Sequence, residues 1–151
     1  MEHLTFSTLD PAFNLALEEV LFQSLPAGHP GWFLLWQNGP SVIVGRHQCT
    51  ADEVNADFIR RENLPVVRRI TGGGAVYHDT GNLNFSFIEH ANGREKVDFR
   101  RYLEPVCAAL ADLGVQAVLS GRNDIEANGR KISGSGQMLR RGKVLHHGTL
   151  L

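Results

Sequence analysis

"VVRRITGGGAVYHDTGNLNFSFI", Val66–Ile88, decides how the chain reads. An apolar run ending in an arginine pair enters three adjacent glycines, and a second run leaves them with Leu83, Phe85 and Phe87 alternating with Asn84 and Ser86. Side chains on a strand alternate between faces, so the second run reads as a half-buried strand. The same alternation sends Arg68 and Arg69 to opposite sides, leaving one of the two to reach a ligand. The glycines supply bare backbone, whose N–H groups can approach a ligand closely and form an anion-binding concavity. Three glycines also make an ordinary tight turn, and the segment alone leaves both readings open.

Upstream, "WFLLWQNGPSVIVG" (Trp32–Gly45) is two apolar runs split by the turn signal Asn38-Gly39-Pro40, which predicts a pair of buried strands. Asp10 before Pro11 predicts a helix start, with Phe13, Leu17, Val20 and Leu21 marking its apolar face. Thr50 and Glu53 have capping-box spacing ahead of a short helix carrying Val54 and Phe58. Downstream, a longer helix is expected from about Asp98, with Phe99, Leu103, Val106 and Leu110 on one face, Pro105 as a kink and Gly114 as its end. The remainder reads as strands and tight turns, with Asn128-Gly129 the strongest hairpin signal. Strands in neighbouring groups with helices between them predict one α+β domain, its sheet mixed or mainly antiparallel and flanked by helices.

Composition narrows the function. A chain of 151 residues with 42% hydrophobic and 21% charged residues can bury a core. Its net charge of -1 creates no global field toward nucleic acid or anionic membrane, so anion binding must be local. Nucleic-acid binding would need basic side chains interleaved with aromatics on one face, whereas the arginine pairs are dispersed. No apolar stretch approaches the ~20 residues of a membrane span, and the N-terminus lacks a signal-peptide pattern. Cys49 and Cys107 have neither disulfide-framework nor zinc spacing, so free thiols in a reducing cytoplasm are expected.

Neither a P-loop nor a dinucleotide-binding fingerprint occurs, and no HExxH or GxSxG signature is present. In "SGRNDIEANGRKISGSG" (Ser120–Gly136), Lys131 lies just past the hairpin turn. Held there it can act as a point charge for a carboxylate or phosphate, or it is an exposed edge lysine. Regular alternation would put Ser133 and Ser135 on its face. Asn123 and Asp124 read as a turn, or as groups that position Lys131 or help coordinate a metal-nucleotide. His146 and His147 face opposite sides of a strand and so do not share one metal, and His78 beside Asp79 fits a ligand hydrogen bond better than an acid-base dyad.

Together, "RRITGGGAVYHDTGNLNFSF", "SGRNDIEANGRKISGSG" and "HHGTLL", with the earlier "VIVGRHQ", resemble the lipoate-protein ligase family within the biotin/lipoate ligase group. The resemblance runs from about Asp10 to the end. It implies a biotin/lipoate ligase-like fold over residues 1–151, incomplete at the C-terminal side. It implies ATP-dependent activation of lipoate to lipoyl-AMP, then transfer of the acyl group to a lysine of carrier domains in 2-oxoacid dehydrogenase E2 subunits or the glycine cleavage H protein. By the same resemblance Lys131 is the essential lysine contacting acyl carbonyl and α-phosphate. Arg69, Thr71, Gly72, Gly73 and Gly74 embrace the adenylate, Tyr77, His78 and Asn82 line its pocket, and Asn123 and Asp124 lie near phosphate and Mg2+, with Asp124 the metal contact; Ser133, on the lysine's strand, is expected among the residues that bind substrate and adenylate. Gly136 stands where the family usually has alanine, a change expected to loosen the strand. A separate C-terminal accessory domain or subunit is a further implied partner; nucleic acid and membrane are not.

Two rivals share part of this pattern. An octanoyl transferase of the same fold would work through a cysteine thioester and need a thiol near the lysine, where this chain has Ile125. A non-catalytic lipoyl-adenylate binding module would bind without turnover.

Overall fold

The computed structural model describes residues 1–151 as two sheets, a seven-stranded mixed sheet and a three-stranded one, with helices packed on them. In chain order the elements are β1 (Glu2–Thr5), α1 (Pro11–Ser24), β2 (Trp32–Trp36), β3 (Ser41–Val44), α2 (Thr50–Glu53), α3 (Ala56–Arg61), β4 (Val66–Arg68) and β5 (Val76–His78). Then follow β6 (Leu83–His90), α4 (Arg100–Asp112), β7 (Ala117–Ser120), β8 (Asp124–Ala127), β9 (Arg130–Arg140) and β10 (Lys143–Leu150). The large sheet runs β1-β2-β6-β10-β9-β8-β7 and is antiparallel except for β1 against β2; the small sheet runs β4-β3-β5. The α+β class and mainly antiparallel pairing expected from the sequence are therefore present.

Local signals explain several boundaries. Asp10 caps α1 by accepting from the N–H groups of Ala12 and Phe13. Asn128 and Gly129 both have positive φ, as a two-residue hairpin turn with strand-matched twist requires, and Arg141-Gly142 repeats the device between β9 and β10. Gly114, at φ +83°, ends α4, while Leu103 and Val106 bury against Phe85 and Ile125 of the large sheet.

Four expectations are corrected. β2 and β3 do not pair: β2 joins β1 and β6, whereas β3 joins β4 and β5. At the corner between them the Gly39 N–H donates to the Leu9 carbonyl and Asn14 donates to the Gln37 carbonyl, so hairpin bonds are not needed there and the strands diverge. On α1 the buried face is Asn14, Leu15, Glu18 and Phe22, while Phe13 and Val20 are more than half exposed. Two polar residues with buried partners take the inward positions, which overrides the apolar pattern. Thr50 lies inside α2 rather than capping it, and a second short helix starts at Asn55, whose side chain accepts from the Phe58 N–H. Finally, β6 is covered on both faces, with Asn84 and Ser86 as buried as Phe85. No helix is long and apolar enough to cross a membrane.

Behind the large sheet, His146 is fully buried, its ring stacked on Tyr102 at 4.8 Å and edge-on to Phe99 at 5.7 Å. Neither ring nitrogen has a partner. Burial holds the imidazole neutral, its pKa pushed down to about 3. An unfolded histidine takes up its proton near pH ~6.5, so stability from the neutral folded form is complete above that value and drains away as pH falls toward 3. His146→Phe keeps the ring packing without the titration. Acid unfolding followed by circular dichroism is expected to show a shallower loss of stability below pH 6.5 for the variant, with no loss of melting temperature at neutral pH; an unchanged acid limb would refute the assignment.

Candidate active site

A cavity of about 480 Å³ opens between the two sheets. One wall is the glycine segment and β5, from Gly73 to His78, with Ile43 of β3. The floor is the large sheet, through Trp36 of β2, Asn84 of β6, Gly134–Gly136 of β9 and His147–Thr149 of β10, and Leu15 of α1 closes the apolar end. Of the residues expected at a site, Arg69, Gly73, Gly74, Tyr77, His78, Asn123 and Lys131 line this cavity.

The remaining five sit around it. Thr71 is buried and its hydroxyl meets His147 Nε2 at 2.7 Å. Gly72 turns its carbonyl to Arg69. Asn82 is buried behind the wall and donates to Asn84 Oδ1 at 3.2 Å. Asp124 pairs with the Lys131 ammonium at 2.8 Å. Ser133 lies outside the cavity, fully buried opposite Ile125, which belongs to the core under α4. The regular alternation expected for Lys131 and Ser133 fails because the β8–β9 register slips at Ile125/Glu126: Glu126 faces Lys131, Ile125 faces Ser133, and Ile132 is the extra residue. Gly134 then lies beneath the lysine; a Cβ there would be 3.3 Å from Nζ.

The arginine pair divides as alternation requires. Arg68 holds the loop after β3, donating to the carbonyls of Gly45 and Gln48 and to Thr50 Oγ1. Arg69 faces the cavity, but its guanidinium is engaged with backbone: Nη1 donates to Ile43, Nη2 to Gly72 and Gly74. It shapes the glycine segment, and burial lowers its pKa. The exposed cation inside the cavity is Lys131.

His78 has a defined tautomer. Asn14 Nδ2 shares its two hydrogens among the carbonyls of Thr8 and Gln37, which fix its orientation, and Asn38 Oδ1 at 3.0 Å. Asn38 Nδ2 is thereby the donor to His78 Nδ1 at 3.0 Å, which leaves the proton of the neutral ring on Nε2. Burial, then the nearby His147 and Arg69, lower the His78 pKa to about 4, so the ring is a neutral donor at physiological pH.

Several residues of the site escaped sequence reading. Glu18, Trp36, Asn84 and His147 come from separate elements; Glu18 and Trp36 lie outside the stretches that carry the resemblance, and Asn84 and His147 lie inside them without a role having been read for either. His147 Nδ1 donates to the buried Glu18 carboxylate at 2.9 Å, Ser86 donates to the same carboxylate at 2.5 Å, and Trp36 Nε1 donates to Ser86 at 3.0 Å. A glutamate on the inward face of α1 is the one signal that could have announced this network.

Neither cysteine lines the cavity: Cys49 is exposed ahead of α2, and Cys107 packs against the core under α4, its thiol pKa raised by burial. No group of three or more His, Cys, Asp or Glu side chains could hold a metal ion.

Comparison with known proteins gives the family and the fold. Residues 10–151 match the lipoyl protein ligase A/B catalytic domain. Lipoate–protein ligase 1 of Staphylococcus aureus is 50% identical over 142 residues, covering 94% of this chain and 43% of the relative, so the chain spans less than half the length of that protein. A bipartite lipoate protein ligase of Thermoplasma acidophilum, whose study includes its E2 lipoyl domain, superposes with a TM-score of 0.92 at 32% identity, covering 99% of this chain and 60% of that one. Lipoate-protein ligase A bound with ATP gives 0.89 at 32% identity, covering 99% and 66%. On the family match over residues 10–151, the chain belongs to the lipoyl protein ligase A/B catalytic domain family.

Proposed function

We propose that this chain carries the catalytic centre of an ATP-dependent lipoate–protein ligase. The observation that carries the reading is a lysine ammonium inside a two-ended cavity, with a glycine-lined wall at its side and an apolar end formed by Leu15, Trp36 and Ile43. Family membership and the similarity to the ATP-bound ligase support it. In the first step a lipoate carboxylate oxygen attacks the α-phosphorus of ATP, the bond to the β-phosphate oxygen breaks, and pyrophosphate leaves. Two anions must meet, so an ammonium shared between them offsets their repulsion and stabilises the charge that grows on the phosphate oxygens. Asp124 holds Lys131 in place beforehand, and releases it when a more negative ligand arrives. In the second step the neutral amine of a carrier lysine attacks the acyl carbonyl, AMP departs, and the amine gives up a proton to solvent. Positioning of a reactive mixed anhydride accounts for most of the rate, and the protein supplies no nucleophile.

Magnesium fits as a passenger of the nucleotide. Magnesium commonly takes one or two carboxylates together with substrate phosphates and water. Asp124 is the carboxylate that would hold it, and the ion would neutralise phosphate charge. Asn123 Nδ2 is bound to the Ser135 carbonyl at 2.8 Å, which sets the edge of the phosphate end. The acceptors are lipoyl domains of E2 subunits or the H protein, and a further C-terminal segment or subunit would complete the docking surface; the T. acidophilum ligase is itself bipartite. The two free thiols suit the reducing cytoplasm.

Gly136 takes on a definite role in this reading. A Cβ there would lie 2.9 Å from Thr71 Oγ1 and 3.1 Å from His147 Nε2, so the glycine makes room for the hydrogen bond joining the glycine segment to the sheet.

Two measurements follow. Mass spectrometry of a lipoyl domain incubated with the chain, its C-terminal partner, lipoate, ATP and magnesium should show one added lipoyl group. Lys131→Ala is expected to lower the rate by about 10²–10³-fold or more, the usual loss for a group that stabilises transition-state charge; undiminished transfer would exclude the proposed chemistry. Gly136→Ala is expected to cost about 1–3 kcal/mol of stability through overpacking, read as a lower melting temperature, and to raise KM for lipoate; a variant identical to wild type in both would show that the Thr71–His147 contact is not needed.

A further inference from the structure

Asn84 has a polarity set from outside the cavity. The Asp79 backbone N–H, which can only donate, binds Asn82 Oδ1 at 3.0 Å, so Asn82 Nδ2 is the atom that donates to Asn84. Asn84 must present Oδ1 to it, and its Nδ2 is left buried, without a partner, on a residue that lines the cavity and is 2% exposed. His78 Nε2–H is a second neutral donor in the same cavity, fixed in the same manner.

The sheet register gives its place along a ligand. Asn84 is paired with Trp36 on one side and Thr149 on the other, and one step beyond the Gly148–Ser135 pair the same register brings Thr149 beside Gly134. Lys131 lies over Gly134. Strands are about 4.8 Å apart, so Asn84 lies roughly 10 Å across the sheet from the lysine. An eight-carbon acid with its carboxyl group at Lys131 extends roughly 9 Å, given carbon–carbon bonds of about 1.5 Å. Its far end therefore arrives at Asn84 and Trp36. Lipoate carries its two sulfurs at that end, whereas octanoate carries only hydrogens.

Resting on the ligase reading above, we propose that Asn84, with His78 as a second donor of the same cavity, selects the sulfur-bearing ring of lipoate over a plain aliphatic acyl chain. Sulfur is a weak acceptor, and its contact with the Trp36 ring adds to it. An aliphatic tail leaves the buried Asn84 N–H without a partner, whereas a ring sulfur offers it an acceptor.

Calorimetric titration of the 151-residue chain with lipoic acid and with octanoic acid tests this. Wild type is expected to favour lipoic acid by about tenfold or more, and Asn84→Leu to narrow that ratio by about tenfold, chiefly through weaker lipoic acid binding. Asn84→Ser leaves Asn82 an acceptor and lets the remaining hydroxyl turn away, so it should narrow the ratio too, whether or not the leucine variant folds. An equal change for both acids in the variants, or a wild type that binds both alike, overturns the inference and leaves the ligase reading standing. A wild type that binds neither acid overturns both.

Discussion

The carboxylate of Glu18 is the constraint on which the site depends. It is 1% exposed, and an ionisable group so far from water must be paired. His147 of β10 and Ser86 of β6 supply the donors, Trp36 of β2 orders the serine, and the far nitrogen of His147 reaches Thr71 at the entrance to the glycine segment. One buried charge thus fixes α1, three neighbouring strands and the segment that crosses them. Removing one partner of such a buried pair typically costs about 3–5 kcal/mol, because the other charge stays behind uncompensated. The cavity floor is accordingly far more rigid than its apolar lining alone would make it.

The two adjacent arginines do complementary work on the opposite wall. Each spends its fork of donors largely on backbone carbonyls, Arg68 on Gly45 and Gln48, Arg69 on Ile43, Gly72 and Gly74. Planar, permanently charged guanidinium suits this task, which a lysine could not reproduce with one point charge. The glycines are needed where these loops touch: a side chain at Gly45 would run into the Gly73 carbonyl. Close packing of irregular backbone explains the glycine density as fully as ligand approach does, and the two uses are compatible because the same segment faces the cavity on its other side.

How much of this was legible beforehand follows from the range of each interaction. Signals confined to a few residues read correctly: Asp10-Pro11 starts α1, Gly114 ends α4, and Asn128-Gly129 turns the hairpin that carries Lys131. The motif-bearing cavity residues were found because they cluster in two stretches of chain. What escaped depends on partners far away in sequence. The Asn38-Gly39-Pro40 turn looks like a hairpin, yet its polar groups are taken by Leu9 and Asn14, so the strands part into separate sheets. Phe13 and Val20 look like core, yet Asn14 and Glu18 own the inward face. Ser133 follows Lys131 by two residues, yet a slip of register against β8 moves it to the other side. In each case local periodicity was overruled by a buried polar contact or a bulge, neither of which leaves a periodic trace.

Those long-range polar contacts also decide what kind of recognition the cavity performs. Arg69 is occupied with backbone and Lys131 stands at one end, so the middle of the cavity is governed by neutral groups. A neutral amide or imidazole can face either way unless something sets it. Here the setting comes from backbone: the Thr8 and Gln37 carbonyls orient Asn14, which orients Asn38 and then His78, while the Asp79 N–H orients Asn82 and then Asn84. Because carbonyls only accept and amides only donate, neither chain can reverse without breaking a bond at its root. The fold itself, through two runs of asparagine, determines that His78 and Asn84 present hydrogen atoms rather than lone pairs to the cavity.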